Sequence, residues 1–142
     1  MNIDGTDRDI LAILQENART SNAEVGRRVG LTASAVHERI KKLEKGGVIR
    51  SYAAVLDPDA LGKGLLAYVF VRIRPHRVAK AVGRALAERA GVQEVAHLTG
   101  EECFMAKVRC SGTRELEAVI FDINEIEGVD GTRTVIALGS VA

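Results

Sequence analysis

SNAEVGRRVGLTASAVHERIKKLEKGG, residues 21–47, decides the fold of this 142-residue chain. Ser21 is a favourable helix N-cap, and Glu24 three positions later is placed to complete a capping box. Val25 and Val29 share one helical face, and Gly30 then supplies the left-handed residue that ends helices. Thr32 can cap a second helix in which Val36, Ile40 and Leu43 recur at helical spacing. Leu31 can plug the core between the two helices, and Gly46-Gly47 closes the second. Helix, short glycine-containing turn, helix is the layout of a helix-turn-helix, whose second helix enters the DNA major groove.

Removing the buried stripe leaves Ser34, His37, Glu38, Lys41, Lys42 and Lys45 facing outward, with Arg39 on one flank. Residues 19–52 hold eight Lys and Arg against three acids, a net of +5, whereas the whole chain is only +1. Positive charge gathered on a recognition-helix frame suits phosphate contacts. The candidate DNA-binding set is Arg27, Arg28, Thr32, Ser34, His37, Glu38, Arg39, Lys41 and Lys42. Ser34, His37 and Glu38 are placed for bases; Arg27, Arg28, Lys41 and Lys42 are placed mainly for phosphates. Arg39 suits an intramolecular partner, Glu24 or Glu44, as well as DNA, and Glu38 with Lys42 forms a favourable i,i+4 pair.

Composition narrows the rest. Hydrophobic residues make up 46% of the chain, enough for an ordinary core, and nothing approaches the roughly 18 apolar residues of a membrane span. MNIDGTDRD at the N-terminus is acidic and polar, so no signal peptide is expected. Cys103 and Cys110 lie too far apart for a CxxC metal pair, and reduced thiols are expected. No Ser/His/Asp set or phosphate-binding loop is visible, so no catalytic residue, metal site or cofactor is assigned. Near-neutral overall charge speaks against a non-specific nucleic-acid coating protein.

Outward from the central stretch, residues 4–17 read as a helix, with Asp4 or Thr6 as cap and Ile10, Leu11 and Leu14 as its apolar stripe. Residues 48–56, VIRSYAAVL, read as a strand or short wing stopped by Asp57-Pro58, and DPDALGKG (57–64) as a linker. From residue 65 strands alternate with helices: strand 65–74, helix 76–89, strand 92–98, strand 103–110, helix 113–128 and strand 131–141. That order is βαββαβ, the ferredoxin-like split βαβ unit. The expected class is therefore α+β, with a winged helix-turn-helix domain at 1–56 and a ferredoxin-like domain at 65–142. The uncovered sheet face, expected to carry Leu66, Tyr68, Phe70 and Val95, predicts a sheet-mediated or edge-mediated dimer.

These features together resemble the family of the leucine-responsive regulatory protein and the asparagine-operon regulator, the feast/famine regulators. The resemblance rests on IDGTDRDILAILQENAR (3–19), residues 21–58, LTGEECF (98–104) and GVDGTRTVIAL (128–138). It implies a cytoplasmic, nucleoid-associated prokaryotic transcription factor that binds double-stranded DNA. It also implies a homodimer formed through the C-terminal domain, assembling further to tetramers or octamers. An amino acid effector is implied near Gly100-Glu101-Glu102 and the strand opening Thr132-Arg133-Thr134. In such a site Gly100 lets a ligand approach the backbone, Thr132 and Thr134 offer hydroxyls, and Glu101 or Glu102 balances an ammonium. Many relatives carry an aromatic residue and an Asp where this chain has Glu102 and Cys103, which bears on effector identity.

Two other classes share the architecture. Siroheme decarboxylases look like this family and use histidine and arginine toward tetrapyrrole carboxylates; here only His37, His76 and His97 are available. A ligand sensor that regulates a partner protein without touching DNA is the other. The basic recognition helix argues against both.

Overall fold

The computed structural model describes residues 1–139 and 141. The chain divides into two compact units, meeting between Val55 and Leu56.

The first unit contains three helices, α1 (Gly5–Glu16), α2 (Asn22–Val29) and α3 (Ala33–Lys45). Ile10, Ile13 and Leu14 of α1 pack with Val25 and Val36, and Val29, Leu31, Ile40 and Ile49 close around them. Ile13 thus takes the buried place that the sequence pattern gives to Leu11, which is half-buried. The capping box falls on a different helix from the expected one. At Ser21 only half of it forms: the hydroxyl accepts from the Glu24 amide at 3.2 Å, while the Glu24 carboxylate turns to Arg27. The complete box is at the start of α1, between Asp4 and Asp7. Gly30 ends α2 at φ 75°, and Thr32 caps α3 through the Ala35 amide at 3.1 Å.

Glycine is also required inside α2. The Gly26 carbonyl accepts from the amides of Gly30 and Leu31, drawing the turn back over the helix. A Cβ at Gly26 would lie 2.3 Å from the Leu31 carbonyl oxygen. The α2–α3 turn is this tight because position 26 has no side chain.

The expected wing is absent: residues 48–56 form no strand. The amides of Val48 and Ile49 both donate to the Leu43 carbonyl, finishing α3 rather than entering a ladder. The Tyr52 hydroxyl donates to Glu44 at 2.8 Å, and Val55 beyond it is fully exposed. β-branched residues alone do not make a strand; a pairing partner is needed, and the described residues of the chain supply none.

The second unit has strands β1 (Leu65–Ile73), β2 (Val92–His97), β3 (Phe104–Cys110) and β4 (Val129–Ala137), with helices α4 (Ala79–Ala87) and α5 (Thr113–Asn124). The sheet order is β2-β3-β1-β4, antiparallel throughout. The βαββαβ order expected from the sequence is the one observed. Helix boundaries are tighter: His76–Val78 is a 3-10 turn ahead of α4, and α5 ends four residues before the expected position 128. β4 begins at Val129 and ends with its last partner, Leu66 opposite Ala137. Ser140, expected within that strand, and Ala142 lie outside the described residues.

Ala67, Val69, Val71 and Ile73 of β1 point under the helices with Ala106 and Val108 of β3, Val82 and Leu86 of α4, and Leu116, Val119 and Ile123 of α5. Leu66, Tyr68 and Phe70 alternate onto the uncovered face and are half-buried, as expected. Val95 does not join them. It pairs with the buried Ala106, so it belongs to the helix-covered face, and its neighbour Ala96, opposite Met105, faces outward instead. The pairing with β3 shifts register between Val92 and Glu94, which makes alternation counted from Val92 unreliable.

Candidate DNA-binding face and effector turn

On α3 the residues between buried Val36 and Leu43 present a continuous polar side. Ser34, His37, Glu38, Lys41, Lys42 and Lys45 are all exposed. Thr32 is spent at its N-cap, where its side chain accepts the Ala35 amide and starts the helix. The expected Glu38–Lys42 pair does not close to ion-pair distance among the described residues, leaving Lys41, Lys42 and Lys45 without carboxylate partners there.

The arginines of the candidate set are placed differently. Arg27 is bound twice by Glu24, Nε at 2.9 Å and Nη2 at 2.6 Å, and this contact draws the Glu24 carboxyl below its usual range. Arg28 lies 3.7 Å from Glu16 of α1. Both guanidiniums remain at the exposed end of α2, where such solvent-facing pairs exchange readily with a phosphate because they are worth only about 0–1 kcal/mol. Arg39 is a correction. It points away from the exposed side and toward α1, and its partners are neither Glu24 nor Glu44. Its Nη1 donates to Asp4 Oδ2 at 2.8 Å and to Asp7 Oδ1 at 2.9 Å. Nothing in its sequence neighbourhood signals those partners, which lie 35 and 32 positions upstream. The positive charge of the first unit is therefore divided: Arg28 and Arg39 pair with acids of α1, Arg27 pairs within α2, and the exposed lysines of α3 have no carboxylate partner among the described residues.

In the second unit the turn between β2 and β3 is closed by the Leu98 amide donating to the Cys103 carbonyl at 2.7 Å. Gly100 sits there at φ +111°, a conformation that favours glycine, with open space where a Cβ would point. Glu101 is exposed. Glu102 accepts from Arg133 Nε at 2.9 Å, and that guanidinium holds its carboxyl below the usual range. Arg133 in turn stands 4.4 Å over the ring of Phe70, a cation–π contact on the uncovered face. Cys103 is buried, donates its amide to Val71 at 2.9 Å and sets its Sγ 3.5 Å from His76 Nδ1.

Thr132 and Thr134 share a face, as expected, but it is not the face of Arg133. They lie opposite Val71 and Val69, whose side chains are under the helices. Thr132 Oγ1 accepts from Asn124 of α5 at 3.1 Å, and Thr134 lines a shallow groove with Leu116, Ile120 and Phe121. Within one chain the threonines and Glu102 therefore do not converge on one pocket. Arg133, the residue between the threonines, is what reaches the turn, and strict strand alternation is the signal that identifies it.

The histidines are dispersed: His37 on α3, His76 against Cys103, and His97 stacked on Phe104 with ring centroids 4.7 Å apart. No helix is long and apolar enough to cross a membrane, and no group of three or more His, Cys, Asp or Glu is set to hold a metal among the described residues.

Comparison with known proteins matches both units. Residues 3–44 fit the AsnC-type helix-turn-helix domain, and residues 66–142 fit the Lrp/AsnC ligand binding domain. The HTH-type transcriptional regulator FL11 of Pyrococcus abyssi is 36% identical over 138 residues, covering 97% of this chain and 91% of that protein. The leucine-responsive regulatory protein of Rhizobium meliloti is 33% identical over 142 residues, covering 98% and 91%. Among solved structures, a transcriptional regulator of Neisseria meningitidis in complex with L-methionine superposes with a TM-score of 0.91 at 30% identity, covering 99% of this chain and 93% of that one.

Proposed function

The chain belongs to the Lrp/AsnC family of transcriptional regulators, and we propose that it reads double-stranded DNA through α3 and adjusts that binding to an amino acid held at the Gly100–Glu102 turn. It is a transcriptional regulator with a helix-turn-helix domain followed by a ligand-binding domain. The observation that carries the DNA face is on α3: among the described residues three lysines lie exposed without carboxylate partners beside exposed Ser34, His37 and Glu38. Ser34, His37 and Glu38 meet base edges, and Lys41 and Lys42 meet phosphates, joined by Arg27 and Arg28 once their surface pairs exchange.

The effector reading rests on an open, positive-φ glycine beside the Glu102 carboxylate, which accepts from Arg133 at 2.9 Å. Glu102 is suited to a ligand ammonium and Arg133 to a ligand carboxylate, the two charges of a free amino acid. Thr132 and Thr134 face the other side of β4, so they serve this ligand only from a neighbouring copy of the chain. The working unit is accordingly a homodimer, built on the uncovered face of Leu66, Tyr68, Phe70, Ala96 and Met105, that assembles into a higher even oligomer in the prokaryotic cytoplasm. A dimer also reads two half-sites, which raises affinity through effective concentration.

The test of the DNA face is salt dependence. Lys41→Ala weakens all duplexes alike and lowers the slope of log K against log salt by about 1. An unchanged affinity and slope would place the docking face elsewhere. The test of the effector turn is a thermal-shift screen of the twenty amino acids. A ligand at a hundredfold excess over its Kd stabilises by about 2.7 kcal/mol, and Gly100→Val abolishes the shift. A shift of equal size in Gly100→Val would remove the turn from the site.

A further inference from the structure

The cluster formed by Arg39, Asp4 and Asp7 is the strongest feature that the DNA-binding face does not absorb. Each of the two carboxylates is divided between two tasks. Asp4 Oδ1 accepts the Asp7 amide at 2.8 Å and Asp7 Oδ2 accepts the Asp4 amide at 3.1 Å, so one oxygen of each closes the capping box of α1. The remaining oxygen of each, Asp4 Oδ2 and Asp7 Oδ1, binds the same nitrogen, Arg39 Nη1, at 2.8 and 2.9 Å. All four carboxylate oxygens are thereby used, and one guanidinium nitrogen of α3 is locked to the N-terminus of α1.

The lock is shielded on one side only: Asp7 is buried at 7% exposure, the Arg39 side chain is one-third exposed, and the Asp4 side chain is 55% exposed. An arginine on this flank of α3 cannot turn to DNA without abandoning two carboxylates at a helix N-terminus, one of them buried. The cluster also lies at the middle of α3, between the base-facing residues near its N-terminal half and the lysines near its C-terminal end.

We propose that Arg39 is a positioning residue for DNA recognition: clamped by Asp4 and Asp7, it sets the angle and depth at which α3 presents Ser34, His37 and Glu38, and it touches no phosphate itself. This rests on α3 being the DNA-reading helix. The acidic partners make the inference sharp, because two physical accounts give opposite signs. If Asp4 and Asp7 acted on DNA only through charge, neutralising either would remove a repulsion and tighten binding to every duplex. As clamp residues, their neutralisation loosens α3 and weakens binding to the preferred sequence.

The experiment uses the full chain and two probes: a duplex recovered by selection from a random pool with the wild-type protein, and a scrambled duplex of the same composition. Affinities are measured by fluorescence anisotropy over a series of salt concentrations, at a temperature where circular dichroism shows each variant folded. Arg39→Lys, Asp4→Asn and Asp7→Asn are the variants. Asn at position 4 keeps the N-cap, and Lys at 39 keeps the charge but loses the planar fork. Each variant is expected to lower affinity for the selected duplex by about tenfold, the worth of roughly one base contact, with the scrambled duplex little changed and the salt slope intact. Tighter binding by the Asp variants, or no loss of preference in any of the three, overturns the clamp. So does Arg39→Met, the charge-removing variant, if it cuts the salt slope by about 0.9, the signature of a direct phosphate contact. Lys41→Ala run in parallel separates the two levels: if it leaves affinity and slope unchanged, α3 is not the reading helix, whereas a response there with silent clamp variants refutes this inference alone.

Discussion

Substituting Gly26 by alanine is the sharpest structural test of how α3 is held. Alanine in a helix interior ordinarily gains up to about 1 kcal/mol over glycine. Here the added Cβ would stand 2.3 Å from the Leu31 carbonyl oxygen and 3.2 Å from its carbon, where real Cβ atoms keep beyond 3.0 Å. The obstacle is backbone, so no side-chain rotation relieves it, and the turn must open by at least about 0.7 Å to carry the oxygen from 2.3 Å to the 3.0 Å limit. Opening it stretches both hydrogen bonds to the Gly26 carbonyl, each worth about 0.5–1.5 kcal/mol, and overpacking of this kind costs about 1–3 kcal/mol in its own right. Set against the propensity gain, Gly26→Ala is expected to destabilise the N-terminal unit by about 1–5 kcal/mol. Urea denaturation followed by circular dichroism measures it. Gly5→Ala, in α1 with nothing within 4 Å of its Cβ, is the control and is expected to stay within about 0.5 kcal/mol of wild type. A Gly26→Ala chain as stable as the control would show that the turn yields freely and that position 26 does not set it.

Other perturbations have definite outcomes. Leu43→Ala empties a fully buried site on α3 and is expected to cost about 2–5 kcal/mol by denaturation. Gly128→Ala is expected to destabilise the second unit measurably, because position 128 has φ +98° and its Cβ would meet Val78 Cγ2 at 2.6 Å, whereas Gly131→Ala meets only the mobile end of Arg72 and should be mild. Glu115 is held at about 2 by Lys63 and by the amide and hydroxyl of Ser111. Its folded pKa lies below the ordinary 4.5, so its contribution is complete above that value and is lost as pH falls toward 2. Glu115→Gln should therefore flatten the stability–pH curve between those limits; a curve that overlays wild type would remove Glu115 from the account.

Much of this was readable in the residues, and the failures have physical causes. Caps and helix periods are local, so Ser21, Gly30, Thr32 and the Val36–Leu43 stripe lie where their chemistry puts them. The wing did not follow, because strand formation needs a partner and residues 48–56 spend their first amides on Leu43. Val95 faced the wrong way because a register shift next to it breaks the count. Arg39 was misplaced for a longer-range reason: its partners are 35 and 32 residues away, and no local pattern encodes an ion cluster between α1 and α3. At the effector turn, Gly100 and Glu102 carry their chemistry in the sequence. The role of Arg133 does not, since it depends on which face of β4 reaches the turn.

In the proposed reading, this chain recognises particular DNA sequences through α3 and changes that recognition when an amino acid binds. Selection of bound fragments from sheared genomic DNA, with wild-type protein and with Lys41→Ala, each with and without a mixture of the twenty amino acids, tests it directly. The account predicts discrete enriched sites with half-sites about one helical turn apart or a multiple of it, recovered at lower yield but in the same sequences with Lys41→Ala, and altered in occupancy by the amino acids. Uniform recovery of fragments, a yield unchanged in Lys41→Ala, or enrichment that ignores every amino acid, would contradict it.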